Sequence, residues 1–93
     1  MIEWIIWGIV AACVAEAILN WSTVHDWLRE RLVTRTDYGR LVEEKLKNGK
    51  VRVRAGVLTA TGRLREEKTW ECEKLDDELQ RKFRNNSEVR ITL

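Results

Sequence analysis

The 93-residue chain has no proline, one histidine, two cysteines, one tyrosine and one phenylalanine, and its first 28 residues hold neither lysine nor arginine. Each scarcity excludes something. Without proline, and with only five glycines, there is no composition for a long linker, and no repeat or low-complexity run is visible. A single histidine, His25, cannot make a His-based metal centre, and beside Asp26 it lacks the nucleophile that a catalytic constellation needs. Cys13 falls in an apolar run and Cys72 in a predicted strand, so no disulfide and no metal-spaced pair is expected. There is no glycine-rich phosphate loop, no Gly-x-Ser-x-Gly elbow and no Cys-x-x-Cys. The residues therefore point away from an enzyme: no catalytic residue, cofactor or metal ligand is assigned.

The missing bases at the start stand against 17 lysines and arginines in the rest of the chain. Before Arg29 the only charges are the acids Glu3, Glu16 and Asp26, so charge is polarised along the sequence although the net value is only +2. That balance does not predict nucleic acid as a partner. The base-free stretch is also the most apolar. A helix from Trp4 to Trp21 would span about 26 Å, close to the roughly 30 Å hydrocarbon core of a bilayer. Trp4 and Trp7 at one end, Trp21 and Trp27 at the other, and Arg29 and Arg31 beyond them have the placement of membrane-interface anchors. The positive flank follows the second end, which predicts a single-pass protein with its N-terminus outside and its C-terminal part in the cytoplasm. Two other readings compete: a signal peptide, which would want a basic start, and a buried or partner-bound helix, because Glu3 and Glu16 interrupt the run.

In such a helix a spacing of four aligns Gly8, Ala12, Glu16 and Asn20, small residues followed by polar ones, as a face for packing against another helix. The expected partners are accordingly the membrane and another membrane protein, or a second copy of this chain.

Downstream, Val24, Trp27, Leu28 and Leu32 keep a helical pattern, and Tyr38, Leu41, Val42 and Leu46 behind Thr36 and Asp37 predict a second helix. Val51, Val53, Ala55 and Val57 alternate with polar residues as a strand. A turn at Thr61-Gly62 leads to a second strand over 63–73, predicted to bulge or to lie at an edge. Asp76, Asp77 and Glu78 open, and Arg81, Lys82 and Arg84 close, a helix with Leu75, Leu79 and Phe83 as its apolar row. Residues 88–93 alternate as a last strand.

The expected architecture is α+β: a long N-terminal, transmembrane helix over 1–28, a helical connector over 29–36, and a small cytoplasmic unit over 37–93. That unit has the order helix-strand-strand-helix-strand, with a three-stranded, mainly antiparallel sheet. Arg52, Arg54, Arg63 and Arg65 form a basic patch whose neighbours Glu67, Glu71 and Glu73 can neutralise it. The expected function is an accessory subunit, anchor or assembly factor in a membrane. The alternatives are a soluble interaction module that oligomerises through its apolar N-terminal helix, and a basic module for nucleic acid or anionic lipid.

Overall fold

A computed structural model describes residues 13–32, 37–84 and 86–92. Its elements are β1 (Val14–Leu19), α1 (Trp21–Arg31), β2 (Tyr38–Lys45), β3 (Val51–Leu58), β4 (Leu64–Leu75), α2 (Asp77–Phe83) and β5 (Glu88–Ile91). The strands form one mixed sheet in the order β1-β4-β3-β2-β5, in which β1 runs parallel to β4 and every other pairing is antiparallel.

The alternating segments behave as their period dictates. Val53, Ala55 and Val57 of β3 are buried on one face, opposite Trp70 of β4 and Leu41 of β2. Glycines with positive φ, Gly49 and Gly62, close the two hairpins in a backbone region that other residues rarely adopt. The register breaks between Val57 and Leu58, which places a bulge at the start of β4, a strand in the interior of the sheet rather than at its edge.

Both helices lie on one face. Val24, Trp27 and Leu28 of α1, recurring at three and four residues, join Leu79 and Phe83 of α2 and the inward residues of the strands in a single core. Trp27 meets Trp70 edge to face, with ring centroids 6.1 Å apart, a favoured aromatic geometry. Gly39 of β2 lies directly under α1: a Cβ there would stand 2.9 Å from Leu28 Cδ2.

The expected architecture is corrected at two places. The stretch read as a continuous apolar helix contains a strand, because β1 hydrogen-bonds along β4 from Val14 opposite Trp70 to Leu19 opposite Leu75. Asn20 is extended, at φ −97° and ψ 146°, so the chain bends before α1 begins. No helix among the described residues is long and apolar enough to cross a membrane. The transmembrane helix, and with it the single-pass membrane placement with an outside N-terminus and a cytoplasmic C-terminal unit, is therefore withdrawn. Short apolar runs fit a strand and a helix equally well by periodicity, and the partner decides.

The second correction is β2, expected as a helix over Tyr38–Leu46. It is the strand between β3 and β5, paired along its length with β3, so backbone hydrogen bonds to two neighbours outweigh a helical apolar spacing of three residues. Among the described residues the sheet consequently has five strands rather than three.

Asp76 holds the two strand-to-helix corners together. Its side chain accepts from Leu79 N at 2.8 Å, capping α2, and from Trp21 N at 3.1 Å, at the start of α1, whose own N-cap Asn20 makes no side-chain bond. Its backbone N–H donates to Leu19 O at 2.9 Å. Replacing Asp76 by Ala strips two helix N-termini of an acceptor, and is expected to lower unfolding free energy by about 1–2 kcal/mol, with Asn, which keeps one acceptor oxygen, losing less. Urea denaturation of the two variants measures it, and an unchanged midpoint for Asp76→Ala would remove this clamp from the account.

Candidate functional site

The helix-free face of the sheet carries the charged side chains of the strands. Arg52 lies 3.7 Å from both Glu44 and Glu71, Arg54 lies 3.6 Å from Glu67, and Arg40 bonds Glu88 at 2.8 Å. The guanidinium of Arg90 stacks 4.0 Å from the centroid of the Tyr38 ring. Of the expected basic patch, Arg52 and Arg54 share this face, each beside carboxylates. Arg65 at the foot of β4 pairs with Asp37, and Arg63 is exposed in the turn before β4. The four arginines are thus spread over a face and a turn, and at least three have acidic neighbours. Trp70 is on the opposite, helix-bearing side and Tyr38 is buried beneath Arg90, so among the described residues no exposed aromatic of the kind used to stack bases accompanies Arg52 and Arg54.

The residues expected to form a helix-packing row are separated by the fold. Gly8 and Ala12 lie outside the described residues. Glu16 is an exposed residue of β1, and Asn20 is the extended residue ahead of α1. Of the expected interface anchors, Trp4 and Trp7 also lie outside the described residues. Trp27 is buried in the core with Arg31 against its ring, while Trp21 is half-buried with Lys82 Nζ 4.7 Å from its ring centroid. Arg29 is exposed on α1 and Arg31 lies near Glu30 and Glu66.

Two edges of the sheet have a different character. At one edge, among the described residues, β1 pairs with β4 alone. Val14, Glu16 and Ile18 fall opposite Trp70, Cys72 and Lys74, hence on the helix-bearing face beyond the reach of the helices. Val14 is 39% and Ile18 43% exposed, and these are the large apolar side chains that the described residues leave in solvent. At the other edge, among the described residues, β5 pairs with β2 alone. Between β5 and α2 runs an open groove of about 790 Å³ lined by Trp21, Arg81, Lys82, Arg84, Val89 and Ile91, with Glu78 as the one acid in its lining. Sequence reasoning assigned Arg81, Lys82 and Arg84 to the helix dipole and Trp21 to a membrane interface. Only the packing of α2 on β5 brings them together, and the one signal in the sequence was the run of bases after Gln80.

Among the described residues no cluster of three or more His, Cys, Asp or Glu is placed to hold a metal ion. Cys72 is buried and its thiol lies 3.5 Å from Val51 O. Burial pushes this thiol above its ordinary value of 9.0, and the nearby carboxylates Glu43, Glu16 and Glu71 push the same way, against the hydrogen bond from the Leu19 backbone. Comparison with protein-family models, curated proteins and solved structures finds no match to this chain.

A raised thiol pKa in the folded state means that the unfolded chain releases this proton first, so stability falls as pH climbs through 9.0. Thiol labelling checks the same burial: exposed Cys13 reacts promptly with a disulfide reagent, and Cys72 reacts only as fast as the protein opens. Equal rates at both positions contradict the burial of Cys72.

Proposed function

We propose that this protein is a non-enzymatic interaction module that self-associates through its apolar N-terminal segment, acting at the β1 edge. The observation that carries the reading is the exposure of Val14 and Ile18 on an edge strand. An edge offers a row of unpaired backbone N–H and C=O groups, and proteins that stay monomeric blunt it with lysine, proline, a bulge or a cover. The sequence Val-Ala-Glu-Ala-Ile-Leu of β1 has no lysine and no proline, and its one charge is Glu16. Strand addition at such an edge takes its affinity from the main chain and its specificity from alternate side chains.

Residues 14–19 act in this role as a strand, which differs from the oligomerising N-terminal helix expected from the sequence. The pairing of the sheet arginines with carboxylates weakens the case for nucleic acid, since such binding draws on uncompensated positive charge.

Light scattering after size exclusion tests this directly. The unmodified protein is expected to form species larger than one chain in a concentration-dependent way. Ile18→Lys is expected to stay monomeric with an unchanged circular dichroism spectrum, because the replaced side chain is 43% exposed. A monomer at every concentration for the unmodified protein, or undiminished assembly of Ile18→Lys, rejects the proposal.

A further inference from the structure

Resting on the self-association just proposed, we infer that the surface receiving β1 is the groove between α2 and β5 of a second copy, so that copies join head to tail rather than β1 to β1. Strand direction supports this. Taking β1 as pointing up, β4 is up, β3 down, β2 up and β5 down. A second copy in the same orientation therefore lays its β1 antiparallel beside β5, and the sheet continues with all helices on one side. Both strands are edges, each paired on one side alone among the described residues.

The side chains match as well as the backbone. The helix-side face of β1 presents an apolar, an acidic and an apolar residue, Val14, Glu16 and Ile18. The helix-side residues of β5 are Val89 and Ile91, opposite Leu41 and Gly39 of the core face. Arg81 of α2 and Arg84, the residue that caps its C-terminus, line the same groove. In contrast to Arg40, Arg52 and Arg54 of the sheet, neither makes an ion pair among the described residues. An arriving Val-x-Glu-x-Ile face brings its carboxylate to this positive wall and its apolar side chains to Val89, Ile91 and Trp21. Two-fold pairing of β1 with itself in the same sheet plane instead brings two Glu16 carboxylates near one another, an unfavourable cross-strand arrangement. Pairing β1 with the groove is heterologous and leaves one free surface at each end, so it grows into a ring or a filament.

The test uses one variant blocked at each surface. Ile18→Lys spoils the arriving strand and leaves the groove; Arg81→Ala with Arg84→Ala spoils the groove and leaves the strand. Each alone is expected to be monomeric or to dissociate at least about tenfold more readily than the unmodified protein. Mixed in equal amounts, they form a one-to-one dimer by light scattering and stop there, because each contributes one intact surface. A charge-exchanged chain carrying both Glu16→Arg and Arg84→Glu recovers assembly that either change alone abolishes, which separates the contact from a folding defect. If the groove variant assembles as well as the unmodified chain, or the mixture stays monomeric, the head-to-tail inference falls while association through β1 stands. If Ile18→Lys itself assembles normally, the reading beneath it falls first.

Discussion

The structure depends on a single carboxylate that serves two corners. Asp76 bonds Leu79 N with one oxygen and Trp21 N with the other, and its own N–H reaches Leu19 O. The end of β1 is thereby tied to the end of β4, and both helices leave the sheet at neighbouring points on the same face. Leu19 and Leu75, the last residues of the two strands, are buried beneath these turns. Among the described residues β1 joins the sheet through β4, and this corner and that ladder, with the packing of α1 on the sheet, make residues 14–31 part of the same core as β2 to β5. A buried N–H left without an acceptor at either helix start is costly to the folded state, which is why one acid near two N-termini matters more than the surface ion pairs.

Placing both helices on one side divides the sheet into unlike faces. One is the core, where Trp27, Trp70, Leu28 and the β3 valines and alanine meet. The other is a lattice of arginine and glutamate whose guanidinium groups lie along the strands, largely shielded from water at Arg40 and Arg54, and cross-strand pairs of opposite charge favour this strand register. Charge is thus nearly balanced across the middle of the sheet and unbalanced at its margins: an apolar strip with Glu16 at β1, and Arg81 and Arg84, which make no ion pair among the described residues, in the groove beside β5. This polarity of the two edges is what connects the fold to a proposed mode of assembly.

Local signals in the chain had strong or weak meaning according to how far their hydrogen bonds travel. The alternation Val51-Val53-Ala55-Val57, the turn at Gly62 and the acid-to-base order of Asp77–Phe83 are satisfied within hairpins or within one helix, and β3, β4 and α2 lie where they place them. The alternation of Glu88–Ile91 also marks a strand, but its partner β2 lies nearly fifty residues earlier in the chain. Tyr38, Leu41 and Val42 show a helical spacing, but the segment is enclosed by β3 and β5, and Gly39 is seated under Leu28 by a contact no local window contains. The N-terminal run offered length and hydrophobicity without a partner, and β4, more than fifty residues away, supplied one.

Composition and periodicity by themselves determined the absence of a motif for catalysis or metal binding, the central hairpin, the last helix and strand, and the apolar, base-free character of the N-terminal segment. The tertiary structure decided the rest. It made residues 14–19 a strand, put Trp27 in the core, set Arg52 and Arg54 among carboxylates, and brought Trp21, Arg81, Arg84 and Val89 to one groove. The physical reason is common to these cases: a strand at a sheet edge and a groove between elements are defined by hydrogen bonds and contacts between residues far apart in the chain, whereas sequence pattern reports only which face of its own segment a residue shares.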